Sequence, residues 1–168
     1  MKLWIMGPAD EDEKYAKECY DLVESLGVKD VEFTGRVNVR DYLGKMDFTL
    51  LTSISEGQPL TILESYAAHK PVITTDVGNC RELIYGNEDG FGDAGILTHI
   101  MNIEEIAHAM VNMSINEENR KRMGEAGYKR VNAFYRIDQM KDVYREIYKG
   151  FSDSQNLSWT EESFKING

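Results

Sequence analysis

Short apolar runs alternate along this chain with longer segments in which apolar residues recur at helical spacing. Leu3 to Met6 reads as a buried strand stopped by Gly7-Pro8. Asp10 with Glu13 forms a capping-box pattern for a helix that Gly27 closes, with Tyr15, Ala16, Cys19, Leu22, Val23 and Leu26 on one apolar face. Val31 to Phe33 predicts a second strand, followed by a short helix near Val39 to Lys45. Phe48 to Leu51 predicts a third strand, Pro59 to His69 a helix, and Val72 to Thr74 a fourth strand. Beyond the glycine-rich stretch Gly86 to Gly95, Ile96-Leu97 predicts a fifth. Asn102 and Glu105 cap a helix with Ile103, Ile106, Ala107, Met110 and Val111 on its face. Further helices start at Asn116 and near Ile137. Strands alternating with helices predict an α/β fold, a Rossmann-like parallel sheet with helices on both faces. Residues 1–150 read as that single domain, and 151–168 as a polar tail with little order.

Charge and residue counts then remove several classes of function. The net charge is −10 with no basic cluster, which argues against nucleic acid or anionic lipid as a partner. No apolar run is long enough to span a bilayer, and nothing resembles a signal peptide. Cys19 and Cys80 make neither a zinc set nor a disulfide framework; Cys19 reads as a small buried hydrophobe, and the pair suits a reducing cytoplasm. His69, His99 and His108 form no metal-spaced pair, and Asp89 and Asp93 lack the ligand order of a calcium loop. His69 reads as a cation suited to the end of the Glu64 helix. Lys70 and Arg81 read as surface cations, and Gly124 and Gly127 follow no strand and so make no dinucleotide fingerprint. Aromatic residues between Tyr128 and Tyr148 read as core, or as a patch left uncovered.

The candidate chemistry lies between Ser53 and Thr74. Glu56 and Glu64 stand eight positions apart, which alone says little, since Glu24/Glu32 and Glu117/Glu125 repeat the spacing. Their context is distinctive. Ser53 to Gln58 leaves the carboxyl end of a strand, where parallel sheets bind ligands. Pro59 suits a first helical turn, and the N–H groups of Leu60 and Thr61 then offer an anion site. Gly57 permits close approach to the backbone, and Glu64 lies one turn further in. The layout suits a nucleotide diphosphate sugar, with phosphates at the helix start, ribose hydroxyls at Glu64 and sugar hydroxyls at Glu56. On these features alone, a solvated Glu56 and a surface Glu64 fit equally well.

The segment Glu56-Gly-Gln-Pro-Leu-Thr-Ile-Leu-Glu64, followed by Pro71-Val-Ile-Thr-Thr-Asp-Val-Gly78, closely resembles the E-x7-E region of retaining GT-B glycosyltransferases of family GT4. Leu3 to Pro8, Val31 to Val37, Met46 to Leu51 and Cys80 to Leu83 also fit. The resemblance spans about residues 2–150 and points to the C-terminal, donor-binding half of such enzymes. Ser55 to Leu60 and Thr74 to Leu83 look most like the glycosyltransferases of Pel-type exopolysaccharide synthesis. The resemblance implies that Glu56 contacts the donor sugar and is the catalytic residue, and that Glu64 binds the ribose. It also implies that Gly57, Gln58, Leu60 and Thr61 hold the sugar and diphosphate, that Val37 beside Arg36 meets the base through its main chain, and that Tyr42 lies near base or ribose.

The implied reaction moves a hexose from a nucleotide diphosphate sugar, UDP-linked, to a saccharide acceptor with retention of configuration. No cofactor and no metal are expected, in keeping with the lack of a DxD motif. The family's diphosphate-clasping Arg and Lys belong to a βα segment upstream of the part matched by Met1, and acceptor binding belongs to an N-terminal domain. The expectation is therefore a fragment of a cytoplasmic parent that transfers sugar, inactive by itself, with any peripheral membrane contact made by the other parts. Two rivals are a GT-B sugar-nucleotide epimerase, which turns over without acceptor, and a flavodoxin-like interaction domain, indifferent to nucleotide.

Overall fold

A computed structural model describes residues 1–9 and 12–153. The elements in order are β1 (Leu3–Met6), α1 (Glu13–Ser25), β2 (Val31–Gly35), α2 (Arg40–Leu43), β3 (Thr49–Leu51), α3 (Leu60–Ala67), β4 (Val72–Thr75), α4 (Cys80–Tyr85), β5 (Gly95–Thr98), α5 (Ile103–Ile115), α6 (Glu117–Phe134) and α7 (Ile137–Asp153). Every strand pair is parallel, as the alternation of strands and helices requires. The pairs fall into two ladders, β1 with β2 and β3-β4-β5.

The second ladder carries the core. Strand β4 is buried along its whole length, and its Val-Ile-Thr-Thr sequence is rich in the β-branched residues that pack well on a pleated surface. Successive residues face opposite sides. Leu50, Ile73 and Ile96 stand in register and pack with Ala109 and Met113 of α5. Val72, Leu51 and Leu97 turn the other way, toward Ile62 and Tyr66 of α3, Leu83 and Ile84 of α4, and Ala126 and Val131 of α6. Helices thus cover both faces, as predicted.

The first ladder differs from the expectation. No residue of β1, β2 or α1 is buried, and Tyr15, Leu22 and Leu26 of the supposed core face are 58–66% exposed. Cys19 is half-buried rather than buried. Amphipathic periodicity marks the apolar side of a helix, and a ladder of only two strands offers that side too little surface to close over it. On α5 the inward stripe runs through Ala109 and Met113, while Ile103 and Val111 are exposed.

Helix ends also depart in detail. Asp10 lies outside the described residues; the side chain of Asp12 caps α1 by accepting from the Tyr15 N–H at 2.9 Å. Asn102 caps α5 as predicted, but Glu105 turns back to the His99 N–H, 2.7 Å away. Helix α3 is shorter than the predicted span: Pro59 is its N-cap, and it ends in a Schellman pair, Lys70 N–H to Ser65 carbonyl at 2.9 Å and His69 N–H to Tyr66 carbonyl at 3.0 Å. His69 fills the left-handed position of that motif, with φ 56°. Helix α7 continues through residues 151–153 of the expected tail, and 154–168 lie outside the described residues.

Candidate functional site

Strand β3 delivers the chain into the loop Thr52 to Pro59, which then enters α3. Within the loop the Ser53 hydroxyl donates to Oε1 of Glu56 at 2.7 Å, so the half-buried carboxylate is already oriented. The Thr75 hydroxyl, at the end of β4, donates to the Ser53 carbonyl at 2.5 Å. The turn after β4 then lies directly on the loop. Asn79 N–H donates to the Gly57 carbonyl at 3.0 Å, and Asn79 Nδ2 donates to Gln58 Oε1 at 3.2 Å. Gly78 makes this approach possible: a Cβ there would stand 2.0 Å from the Glu56 carbonyl oxygen, and its φ is +51°.

Helix α3 is fixed from beneath. Ser65 bridges Thr49 of β3 (2.9 Å) and the Thr61 carbonyl (2.8 Å), and the Tyr66 hydroxyl donates to the Leu83 carbonyl at 3.0 Å. Burial pushes the Tyr66 hydroxyl well above the usual phenol range, so it remains a donor. The two glycines of α6 now acquire a role. A Cβ at Gly124 would meet the His69 carbonyl oxygen at 2.2 Å, and one at Gly127 the Tyr66 ring at 2.4 Å, so these glycines let α6 lie against α3.

With Ile62, Ser65 and Tyr66 buried, α3 turns Leu60, Thr61 and Glu64 outward, Leu60 and Glu64 one turn apart on one face. Among the described residues no side chain caps its start. Gly57 faces open space and Gln58 is exposed. The structure therefore brings Glu56, Gly57, Gln58, Leu60, Thr61 and Glu64 to one place, the end of β3 and the first turns of α3. A helix start offering N–H groups to an anion, with carboxylates on either side to accept from hydroxyls, is chemistry fit for a polyol phosphate.

Arg36, Val37 and Tyr42 form a separate group. Gly35 ends β2 with φ +67°, Arg36 is exposed, Val37 is half-buried, and the Tyr42 ring stands edge-on to Trp4 with centroids 5.3 Å apart. Among the described residues no hydrogen bond or ion pair joins this group to the Glu56 loop. Arg81 is engaged by Asp76, which raises the guanidinium pKa, and its charge lies over the Tyr85 ring. His69 stacks on Tyr128 with ring centroids 3.7 Å apart and approaches Glu125 at 3.3 Å. Among the described residues, no cluster of three or more His, Cys, Asp or Glu side chains could hold a metal ion, and no helix is long and apolar enough to cross a membrane.

Sequence reasoning missed Ser53, Thr75 and Asn79 as supports of the loop. The turn signal Asp76-Val-Gly-Asn79 was available, but its partner Gln58 lies 21 positions away and only the fold joins them. Buried Arg130 was missed as well. All five of its N–H groups are used: Asp89 is held at 2.6 and 3.1 Å, and the carbonyls of Leu83, Ile84 and Gly92 at 2.8–3.0 Å.

The fold and this loop–helix arrangement define a class. The chain belongs to the family described as glycosyl transferases group 1, whose model matches residues 1–130. It is 32% identical over 129 residues to the N-acetyl-alpha-D-glucosaminyl L-malate synthase of Bacillus anthracis, a match covering 76% of this chain and 32% of that protein. A glycosyltransferase of Methanocaldococcus jannaschii, MJ1178, is 29% identical over 145 residues, covering 84% and 40%. Among solved structures, Anabaena Alr3699/HepE in complex with UDP-glucose matches with a TM-score of 0.79 at 20% identity, over 89% of this chain and 41% of that one. The solved structures that it matches are GT-B glycosyltransferases, in agreement with the α/β architecture expected from the sequence. The chain spans about two fifths or less of the length of the relatives it matches.

Proposed function

We propose that this chain is the donor-binding part of a retaining glycosyltransferase of family GT4. The parent moves a hexose from a UDP-sugar to a saccharide acceptor in polysaccharide synthesis in the cytoplasm, with the Pel type as the nearest subfamily. The observation that carries the reading is the joined Glu56 loop and α3 start, in a chain whose family is that of the group 1 glycosyl transferases. Glu64 accepts from the ribose hydroxyls, and the N–H groups of Leu60 and Thr61 meet the diphosphate. Glu56, held by Ser53, accepts from the donor sugar and is the catalytic residue. Gly57 leaves room for the sugar against the backbone, and Gln58 borders it. Arg36, Val37 and Tyr42 receive the base. A UDP donor is supported by the UDP-glucose complex of the similar Anabaena protein.

Transfer also needs charge compensation on the departing diphosphate. A helix start contributes only about 0.3–1 kcal/mol per charge, and the loop adds the Glu56 carboxylate rather than a cation. The reading therefore assigns turnover to the longer protein, with cations from a preceding βα segment and an acceptor-binding N-terminal domain. Two features support this. Among the described residues β1 and β3 each pair with one strand only, and the apolar faces of α1 and α7 are exposed. No metal or cofactor enters the proposal.

Calorimetric titration with UDP, GDP and ADP tests it. One diphosphate binds, at about −4 kcal/mol for a millimolar Kd, and Glu64→Ala abolishes the binding. A chain that binds none of the three, alone and with a preceding βα segment joined to it, contradicts the proposal.

A further inference from the structure

The ladder between β3 and β4 ends at Leu51 and Thr74, yet the loop beyond it stays attached to β4. A side chain makes that attachment. Thr75, 1% exposed at the end of β4, donates its hydroxyl to the Ser53 carbonyl at 2.5 Å, where a ladder would use a main-chain N–H. The next N–H along, that of Asp76, goes instead to the Thr98 carbonyl of β5 at 2.8 Å. Thr75 is itself firmly held. It pairs in register with Thr98, and a buried β-branched side chain has few rotamers open to it. The constraint passes on through Ser53. Its hydroxyl donates to Glu56 Oε1 at 2.7 Å, and among the described residues it is the one hydrogen-bond partner of that carboxylate.

We propose that Thr75 is a positioning residue for Glu56 and acts through Ser53: it pins the loop main chain to the core sheet, so that the Ser53 hydroxyl holds Oε1 and leaves Oε2 to accept from a ligand hydroxyl. The consequence for sugar recognition rests on the donor-binding reading above. Because Glu56 serves the sugar and Glu64 the nucleoside, loss of the Thr75 hydroxyl weakens binding of a nucleotide sugar more than binding of the nucleotide itself.

Thr75→Val keeps the shape and removes the hydroxyl, whereas Thr75→Ser keeps the hydroxyl and removes a methyl group. Both disturb a buried site, so a purely structural role would not separate them. Two measurements on the 168-residue chain do. The first, the carboxyl carbon resonance of Glu56 by NMR, needs no ligand. Thr75→Val moves it toward its position in Ser53→Ala, where the bond is gone altogether, and Thr75→Ser leaves it in place. Thr75→Ala, which also lacks the hydroxyl, gives the same result as Thr75→Val. A resonance unmoved in the variants without the hydroxyl, or moved equally in Thr75→Ser, overturns the proposal. The second is calorimetry with UDP and UDP-glucose. In Thr75→Val the affinity for UDP-glucose relative to UDP falls about threefold or more, and adding Thr75→Val to Ser53→Ala lowers it no further than Ser53→Ala alone. An unchanged ratio overturns the functional half, and additive losses overturn the route through Ser53. If the unaltered chain binds neither probe, also with a preceding βα segment joined, it is the donor reading that fails, and the carboxyl resonance alone decides whether Thr75 positions Glu56.

Discussion

Glu64 stands on the outward face of α3, clear of the residues that fix the helix. Its replacement therefore separates binding from stability. Glu64→Gln is expected to lower nucleotide affinity about tenfold by calorimetry while leaving the melting temperature unchanged, because an exposed site with no structural partner contributes little to folding. Arg130 has the opposite character. It is 1% exposed, with Asp89 as its ion-pair partner, and removal of one partner leaves the other charge buried. Arg130→Met is expected to cost about 3–5 kcal/mol in urea denaturation. Hydrogen bonding to Arg130 holds the Asp89 carboxyl below the usual carboxylate range. A depressed folded-state pKa stabilises the fold fully above the unfolded value near pH 4, and the contribution is lost as pH falls through the folded one. The stability gap between wild type and Asp89→Asn should accordingly narrow from pH 7 to pH 3.

At the scale of elements, the site depends on two close approaches. Gly127→Ala puts a methyl group into the Tyr66 ring and should destabilise α6 against α3 by about 1–3 kcal/mol in thermal or urea denaturation. Gly78→Ala puts one against the Glu56 carbonyl, so the amide resonances of Gly57 and Gln58 should shift even where the fold survives. The strands β3, β4 and β5 were legible because short, dense apolar runs can only be buried on both faces. The Glu56 loop and α3 were legible because a strand end, a glycine, a proline and a helical pattern follow one another locally. What was not legible is tertiary. Periodicity placed Leu22 and Leu26 on one side of α1 but did not say whether anything covers that side. Nor did any local pattern mark Asn79 as a neighbour of Gln58, or Gly124 as the contact for the end of α3. His69 was placed at the helix terminus, but its left-handed backbone comes from the Schellman closure, which no periodicity encodes.

For the whole molecule, the uneven burial of the two ladders is the leading feature. Strand β4 is sealed, while β1 and β2 lie under a helix with no buried residue. Helix α7 presents Ile137, Met140, Val143, Tyr144, Ile147 and Tyr148 as an exposed apolar stripe. Apolar surface of this kind drives association in water. Sedimentation of the 168-residue chain should therefore show concentration-dependent self-association, reduced by Val143→Lys on α7 and untouched by Glu64→Gln. These surfaces are also where the account places the remainder of a longer glycosyltransferase. Its central claim nevertheless rests on the loop and helix themselves. The most direct test is amide chemical-shift mapping with UDP-glucose. The account predicts that perturbations gather at Gly57, Gln58, Leu60, Thr61 and Glu64, with a second set at Arg36 and Val37, and that Glu64→Gln shifts them to about tenfold higher ligand concentration. Perturbations confined to other surfaces, or unchanged by that substitution, would contradict it.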